Sequence, residues 1–307
     1  MLHRNDPRWA YILVNLATLL WASNIVLGRF LRHEIGPISL SAARFTVAGL
    51  IFFVLLRNSQ KSQAHPDQSP EPNPRQAART GWLLVLGMGL VGVFGFTTLL
   101  YFGLRYTTAS HAALINAATP LVTAVLAAAF LKERFTRPLM AGSIISLAGV
   151  GLVIGVGSTG GEDTPQALFG DLLCLLAAVL WGVYSILGRL ATKTKSSLQV
   201  TANSIWLAFP LLYLAALLEW QTGPPSLNPP VLLAAVYIGV FPSVIAFSAW
   251  NEGVRRAGPN QAMAFYNMLP VYGTLLGVLL LGESLSWNAL FGGVLVIAGG
   301  IIIARFR

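Results

Sequence analysis

The sequence has few charged residues: Asp, Glu, Lys and Arg together make up 10% of its 307 residues, whereas an ordinary soluble domain carries about 25%. Hydrophobic residues make up 55%, and the mean hydropathy is +0.68. A soluble fold of this length could not bury so much apolar surface, so lipid must replace water around much of it. The composition therefore excludes a soluble enzyme or binding domain and predicts a membrane protein.

Cysteine is nearly absent, and so are the motifs of common enzymes. The one cysteine, Cys174, lies in an apolar run, which excludes a disulfide framework and a CxxC metal site. The sequence has no G-x-x-x-x-G-K-[ST] loop for ATP, no H-E-x-x-H or G-x-S-x-G motif and no Cys/His cluster. We therefore predict no catalytic residues, no metal site and no cofactor.

Acidic residues are outnumbered, with 11 Asp and Glu against 20 Lys and Arg, and the formal net charge is +9. The basic residues lie between apolar runs and form no patch on a soluble domain, so we predict no nucleic-acid partner. The sequence also lacks an N-x-S/T glycosylation site, which favours a bacterial inner membrane over a eukaryotic cell surface.

Long apolar intervals separate the charged residues. A bilayer core of about 30 Å takes about 20 apolar residues at 1.5 Å each, and lipid can accommodate helices but not open strand edges. We therefore predict an all-α polytopic membrane protein with ten transmembrane helices. The ten predicted spans are residues 9–31, 37–56, 81–104, 107–131, 138–157, 167–190, 198–219, 230–253, 259–281 and 287–304.

Lysine and arginine indicate how these spans are oriented. With the N-terminus in the cytoplasm, 16 of the 20 Lys and Arg fall in inside segments, three fall outside, and Arg44 lies within a span. Positive residues concentrate on the cytoplasmic side of membrane proteins, so we predict that both termini are cytoplasmic. Residues 58–80 are rich in Pro, Gln and Ser, which predicts a flexible cytoplasmic linker.

The two halves of the sequence repeat one another. AATPLVTAVLAAAFLKE at 117–133 and NMLPVYGTLLGVLLLGE at 267–283 carry a proline and a glutamate in the same places, 150 residues apart. LLWASNIVLGR at 19–29 matches VLWGVYSILGR at 179–189, with a separation of 160. The linker at 58–80 accounts for the difference between the two separations. Near-constant separations over Pro, Gly, Glu, Trp and Arg indicate an internal repeat.

The repeat defines two predicted domains, residues 1–157, which include the linker, and residues 166–307. Each domain holds five spans, and because five is an odd number the second domain must enter the membrane in the opposite sense. Two inverted repeats are typical of secondary transporters, which hold the substrate near the membrane midplane between the halves.

Three features resemble a known family: the five-plus-five layout, the proline-to-glutamate segments that close spans 4 and 9, and the glycine-rich spans 5 and 10. Over the whole chain outside 58–80, they resemble the EamA-type members of the drug/metabolite transporter superfamily. Within it, the sequence is similar to the YddG-type exporters of aromatic and other amino acids. The resemblance implies the inverted ten-helix fold and the export of small metabolites. No basic residue follows Glu283 in LGESLSW, so we interpret Glu133 and Glu283 as helix-end residues.

Pro120 and Pro270 lie near the middle of spans 4 and 9, where a proline should kink the helix. One interpretation makes them hinges beside a central cavity, and the other is that membrane helices simply tolerate proline.

Three polar residues lie close to these prolines, Asn116 on span 4 and Tyr266 and Asn267 on span 9. Polar groups in the hydrocarbon face the bundle interior, where these three can bind substrate or bridge helices.

Aromatic and polar residues at helical spacing form a second set of candidates. Trp21 and Asn24 share one face of span 1, and Trp181 and Tyr184 match them on span 6. In inverted halves the first pair lies toward the outside and the second toward the inside, which suits gates on either side of a substrate. Packing, or enrichment of tryptophan at the interface, is the alternative. Because aromatic walls with a few polar groups suit an amphipathic ligand, further candidates for the wall are Tyr101, Ser243 and Trp250.

Arg44 is the one basic residue well inside a predicted span, seven residues beyond Pro37 and so about 10 Å deep. A charge at this depth can attract a substrate carboxylate near the outer mouth, or it can snorkel outward or cap a carbonyl. No carboxylate lies near a predicted midplane, where a proton-coupled transporter would commonly place one. We therefore predict facilitated or weakly coupled transport. His111, near the outer end of span 4, is the one candidate for a proton relay.

These observations predict a secondary transporter that exports amino acids, including aromatic ones, or related small metabolites across the inner membrane by alternating access. A multidrug or nucleotide-sugar carrier is the alternative within transport, and a channel or an intramembrane enzyme is the alternative of another class. The predicted partners are a small-molecule substrate and the lipid bilayer. The sequence leaves the oligomeric state open and is compatible with a monomer.

Overall fold

The computed structural model describes residues 7–62, 74–116, 118–131, 137–155, 165–192, 195–257, 265–266 and 268–305. These residues form helices joined by short connections, and none of them lies in a β-strand. In chain order the elements are α1 (Pro7–Phe30), α2 (Pro37–Ser62), α3 (Pro74–Met88), the π-helix π1 (Gly89–Phe96), α4 (Thr97–Tyr106), α5 (Ala109–Asn116), α6 (Thr119–Leu131), α7 (Arg137–Gly155), α8 (Pro165–Ala191), α9 (Ser197–Thr222), α10 (Pro229–Val240), the π-helix π2 (Phe241–Ile245), α11 (Ala246–Ala257), α12 (Leu269–Leu281) and α13 (Trp287–Arg305).

Six helical segments are long and apolar enough to cross a membrane: Trp9–Phe30, Pro37–Asn58, Gly81–Tyr106, Gln166–Ala191, Ser197–Gln221 and Pro229–Gly253. Shorter apolar helices are Met140–Val153, Leu269–Leu281 and Trp287–Ile302. The outward faces of both the long and the short helices are apolar. Leu233, on a long helix, is 71% exposed, and Leu279 and Trp287, on short ones, are 68% and 74% exposed. Such faces suit lipid rather than water. At this level, the prediction of an all-helical multi-pass membrane protein is confirmed.

The predicted linker at 58–80 is shorter than expected. Helix α2 continues to Ser62 and α3 begins at Pro74, so helices enter the segment from both sides, and residues 63–73 lie outside the described part of the chain. Gln, Ala and Arg make up most of the second end, PRQAART at 74–80, and these residues favour helices. Composition alone did not locate these helix ends.

Two membrane-length helices contain π-helical segments, which the sequence did not predict. Helix α3 runs through π1 into α4, and α10 runs through π2 into α11. Pro242 is the second residue of π2, and the hydroxyl of Ser243 donates to the carbonyl of Ile238, five residues earlier, at 2.9 Å. Such segments occur frequently at functional sites, and these two occupy corresponding places in the two halves.

Predicted span 4 is broken rather than kinked at its proline. Helix α5 ends at Asn116 and α6 begins at Thr119, so that Pro120 is the second residue of a new helix. In the same way, Pro270 is the second residue of α12 and is buried. A proline in the first turn of a helix loses no backbone hydrogen bond, which explains its place after a break.

Helices α7 and α13 pack closely through glycines. A Cβ on Gly149 would come within 2.5 Å of the carbonyl oxygen of Gly292, and one on Gly292 within 2.7 Å of that of Gly149. A Cβ on Gly299 would come within 2.5 Å of the carbonyl oxygen of Gly142. Because residue numbers rise along one helix while they fall along the other, the two helices are antiparallel.

The two halves of the chain are interleaved. Helix α1 packs against α11 and α12, α2 packs against α9, and α4 packs against α8. Each of these pairs joins the first half to the second. Leu100, Leu104, Ile115 and Ile238 are buried in the shared core. The inner faces of helices from both halves therefore surround a common centre.

Two glutamates cap the starts of helices that are distant from them in sequence. Glu283 accepts hydrogen bonds from the backbone N–H groups of Ala109 at 2.6 Å and Ser110 at 2.9 Å, and from the Ser110 hydroxyl at 2.7 Å. Glu219 accepts from the backbone N–H of Ser39 at 2.8 Å and from its hydroxyl at 2.6 Å. Carboxylates at helix N-termini are stabilising. Glu283 also lies two residues beyond the end of α12 at Leu281, which supports its interpretation as a helix-end residue.

Candidate functional site

A cavity lies at the common centre of the two halves, with about 730 Å³ of empty space that includes its opening to solvent. Its described wall is mostly apolar and aromatic, with a few polar groups, as is typical of small-molecule sites. None of the described lining residues comes from α6, α7 or α13. The lining residues are Trp21, Asn24, Ile25, Arg44, Phe45, Gly92, Val93, Phe96, Thr97, Leu100, Asn116, Trp181, Tyr184, Thr201, Ile205, Ser243, Phe247, Tyr266 and Leu269.

Most of the predicted site residues meet at this cavity. Those that line it are Trp21, Asn24, Arg44, Asn116, Trp181, Tyr184, Ser243 and Tyr266. Tyr101 and Trp250 lie behind the wall, in contact with lining side chains. Asn267 and Glu133 fall outside the described residues. Whether any of these residues binds substrate, gates it or acts as a hinge stays a prediction.

One aromatic ring connects the two predicted tryptophan gates. The ring centroid of Phe247 lies 5.4 Å from Trp21 and 6.0 Å from Trp181. Trp181 also stacks on Tyr184, with 5.0 Å between the ring centroids. The sequence reasoning missed Phe247, although it lies four residues after Ser243 and so on the same helix face.

The orientation of Trp21 is fixed from two sides. Its indole Nε1 donates to the carbonyl of Pro242 at 3.1 Å, which ties α1 to π2. Its ring also contacts Trp250 at 5.3 Å and Tyr266 at 5.9 Å between centroids. A buried tryptophan commonly satisfies its N–H in this way while the ring packs. The wall of the cavity is therefore ordered on this side.

Arg44 is buried in the wall, with only 4% of its surface exposed. Its Nε and Nη2 donate to the Ser243 hydroxyl at 3.1 and 2.8 Å. Its Nη1 donates to the Tyr101 hydroxyl at 3.0 Å and to Asn24 Oδ1 at 3.4 Å. The Tyr101 hydroxyl in turn donates to Asn24 Oδ1 at 2.6 Å. The side chain is therefore held among side-chain oxygens and does not snorkel outward.

The charge of Arg44 has no opposite charge beside it in the described part of the chain. All three acceptors are neutral, and no described carboxylate lies within ion-pair distance of the guanidinium. The ring of Phe45 lies 4.8 Å from the guanidinium carbon and supplies a cation–π contact. A guanidinium in this setting can bind an anionic group such as a carboxylate.

A second polar cluster lies between α5 and α8 and does not line the cavity. His111 Nδ1 is 3.1 Å from Asp171 Oδ2, and the Thr107 hydroxyl donates to Asp171 Oδ1. His111 and Asp171 are only 4% and 2% exposed. The sequence alone indicated no partner for His111, because Asp171 lies 60 residues away. Among the described residues, no three His, Cys, Asp or Glu side chains come together as metal ligands would.

The model of the EamA-like transporter family matches residues 8–155 and 168–305. The chain is 28% identical to the uncharacterized transporter YyaM of Bacillus subtilis, over 94% of this chain and 91% of that protein. It is 29% identical to a probable terminal-alkyne amino-acid exporter of Streptantibioticus cattleyicolor, over 97% of this chain and 93% of that protein. A protein crystal structure with 23% sequence identity superposes over 95% of both chains with a TM-score of 0.62, so the two share a fold.

Proposed function

Because the chain belongs to the EamA-like transporter family, we propose that it is a secondary transporter that exports amino acids, including aromatic ones, or related small metabolites across the bacterial inner membrane. The observation that carries this proposal is the central cavity, whose aromatic wall and few polar groups come from both halves of the chain. Such a wall suits an amphipathic small molecule. The relative named as a probable amino-acid exporter supports the substrate class.

The packing of α7 against α13 supports two inverted repeats, residues 1–157 and 166–307. Gly142 and Gly149 are each 150 residues before Gly292 and Gly299, and the contacts cross, from Gly149 to Gly292 and from Gly142 to Gly299. Exchanging the two helices leaves these contacts unchanged, as expected for two-fold related units. Because the helices are antiparallel, the related halves would enter the membrane in opposite senses.

A pair of residues close to the proposed two-fold axis supports the same arrangement. Ser146 and Val296 are also 150 residues apart, and the Ser146 hydroxyl donates to the Val296 carbonyl at 3.4 Å. A residue close to a two-fold axis lies next to the equivalent residue of the other repeat, as Ser146 lies next to Val296. We therefore propose ten spans with both termini in the cytoplasm, in agreement with the distribution of Lys and Arg in the sequence.

We propose that transport proceeds by alternating access, and the placement of the helix breaks supports this. Asn116 ends α5 at the cavity wall, just before α6 begins, and Tyr266 lies in the wall just before α12. Pro120 and Pro270 are in the first turns of the helices that follow. A break beside the cavity lets one half-helix tilt without breaking hydrogen bonds in the other. Trp21 and Trp181, joined through Phe247, are the proposed gates.

Transport is proposed to be facilitated or weakly coupled, because none of the described residues lining the cavity is Asp or Glu. The test uses the purified full-length chain in proteoliposomes, with a panel of labelled amino acids and with and without a pH gradient. We expect saturable uptake and counterflow of at least one amino acid, little changed by the gradient. Protein-free liposomes are the control.

Three results would contradict the proposal and identify the alternatives. Uptake of lipophilic dyes or nucleotide sugars, with no amino acid competing, indicates the other carrier classes. Unitary currents without saturation indicate a channel. Correctly folded protein that moves no member of the panel removes the amino-acid assignment.

A further inference from the structure

We propose that Arg44 is the residue that binds a carboxylate of the substrate, and that the cavity therefore takes organic acids, amino acids among them, in preference to the corresponding amides, which lack a carboxylate. This inference rests on the proposed transport function, and it adds the chemical group that the site recognises. Arg44 is 4% exposed and lines the cavity, and its side-chain partners in the described residues are all neutral.

A buried cation without an opposite charge is unfavourable, and in membrane helices such charges are usually paired with one another or with a ligand. The neutral oxygens around Arg44 satisfy its hydrogen-bond donors but leave its charge uncompensated. Among the described residues, no Asp or Glu lies in the cavity wall to compensate it. An anionic ligand in the cavity would supply the missing charge.

The geometry of the guanidinium shows where the anion would bind. Arginine has five N–H donors, and the hydrogen bonds to Ser243, Tyr101 and Asn24 use four of them. The remaining donor is on Nη2. The bond from Nη1 to Asn24 is the longest of the four at 3.4 Å, and bonds of this length are weak. A carboxylate can therefore take the free Nη2 donor and replace Asn24 on Nη1, which gives a two-pronged contact.

The same contacts hold the guanidinium in place before any ligand arrives. Because the Ser243 hydroxyl gives its proton to the Ile238 carbonyl, its lone pairs face Arg44. Because the Tyr101 hydroxyl gives its proton to Asn24 Oδ1, it accepts from Nη1 with its own oxygen. Phe45 covers one face of the guanidinium. A side chain that is ordered in advance loses less entropy when it binds a ligand.

The remainder of the cavity suggests what the carboxylate is attached to. Trp21, Phe247 and Trp181 form a continuous aromatic wall, which suits an apolar or aromatic side chain. The faces of these rings can also accept an ammonium group through cation–π contact. A zwitterionic amino acid and a simple carboxylic acid both satisfy these requirements, whereas an amine or amide without a carboxylate leaves Arg44 unpaired.

The test measures equilibrium binding to the purified full-length chain in detergent micelles. One set of probes is phenylalanine, phenylalaninamide and 3-phenylpropionate, and a second set is leucine, leucinamide and 4-methylpentanoate. Within each set the probes share a side chain and differ in the carboxylate or the ammonium. We expect the two acids to bind at least about tenfold tighter than the amide, because a charge-assisted contact is lost in the amide.

Substitutions assign this preference to one side chain. We expect Arg44→Gln to reduce the ratio of acid to amide affinity to about one, and Arg44→Lys to keep part of it, because Lys retains the charge but not the planar fork. Arg105→Gln is the matched control, since Arg105 is exposed and does not line the cavity. It removes one guanidinium from the same chain and should leave the ratio unchanged.

Two results would overturn the inference: equal binding of acid and amide by the unsubstituted chain, or an unchanged ratio in folded Arg44→Gln. The first needs no variant, so it applies even if Arg44→Gln folds poorly. Transport of acids with an unchanged ratio in Arg44→Gln removes this inference alone. Failure of every acid to bind or be transported, while dyes or amines are transported, removes the proposed function as well.

Discussion

Arg44 and Asp171 are both charged side chains that the fold has removed from water, and they differ in what completes their surroundings. Asp171 is bound on both oxygens by groups of the protein, His111 and Thr107, away from the cavity wall. Arg44 is bound by neutral oxygens and forms part of that wall. Where the protein itself supplies the partners, we expect the charged group to stabilise the fold. Where the opposite charge has to come from a ligand, we expect the group to determine binding.

The largest effect that separates the two clusters is expected on stability. Asp171→Ala removes the acceptor of two buried donors, on His111 and Thr107, and should lower the free energy of unfolding by about 3 kcal/mol. Binding and transport per folded molecule should not change. Unfolding can be followed by tryptophan fluorescence as a denaturing detergent is added to mixed micelles.

Asp171→Asn is the control for this prediction, because it keeps one acceptor oxygen and should cost less stability. A stable Asp171→Ala protein that has lost transport would contradict the comparison. That result would place the His111–Asp171 pair in a proton pathway and would revise the proposal of facilitated transport.

The sequence could identify Arg44 as unusual, but it could not find its partners. Its depth within an apolar run was visible from residue spacing alone, because 1.5 Å per residue locates it along a helix. Asn24, Tyr101 and Ser243 were each selected for their polarity within other spans. They lie 20, 57 and 199 residues away in sequence. Only the rotation and register of four packed helices bring them to one guanidinium, and no local pattern encodes that.

The fold was predictable where it depends on composition and repetition, and less so where it depends on local backbone geometry. Apolar length predicted membrane helices, and the matched prolines located two irregular points. Proline has no N–H and cannot make the backbone hydrogen bond of a regular α-helix. The helix break before Pro120 and the π-helical turn at Pro242 each occur where that hydrogen bond would be missing. Nothing in the sequence distinguishes a kink, a break and a π-helix, since the choice depends on the neighbouring helices.

The next largest effect is expected in the cavity wall, and it tests whether the aromatic residues act on the ligand. Trp21→Ala and Trp181→Ala should each lower transport about tenfold, since one aromatic contact contributes about 1 kcal/mol or slightly more. Both side chains are only half-buried, so neither variant should unfold. The measurement is initial uptake in proteoliposomes, normalised to monodisperse protein.

Trp206→Ala is the matched control for the tryptophan variants. Trp206 is 38% exposed on α9 and packs on Phe53 and Phe209, and it is not among the cavity-lining residues. It should leave transport unchanged. Unchanged uptake in both wall variants rejects the gate assignment, and an equal loss in all three shows that tryptophan removal acts through stability.

The smallest effect concerns a third way of completing the surroundings of a charge, here the half-buried carboxylate of Glu283, in which backbone N–H groups serve instead of a side chain or a ligand. Glu283 accepts three hydrogen bonds at the start of α5, two of them from backbone. Glu283→Ala should lower the free energy of unfolding by about 1 kcal/mol, as for the loss of a helix cap, without changing the preference for acids over amides. The same detergent titration measures the first quantity, and the probe sets measure the second.

Glu34→Ala provides the comparison for Glu283→Ala, because Glu34 is exposed and its carboxylate accepts one hydrogen bond, from Asn228 Nδ2 at 3.0 Å. Its stability should change by less than about 0.5 kcal/mol. A cap that anchors the start of α5 also fixes Asn116, the last residue of that helix, at the cavity wall, so binding is a sensitive readout of any shift. If Glu283→Ala weakens acids and amides equally, the cap positions the wall. If Glu283→Ala weakens the binding of acids alone, Glu283 acts on ligand binding as Arg44 does. The distinction between charges that stabilise the fold and charges that bind the ligand would then be wrong.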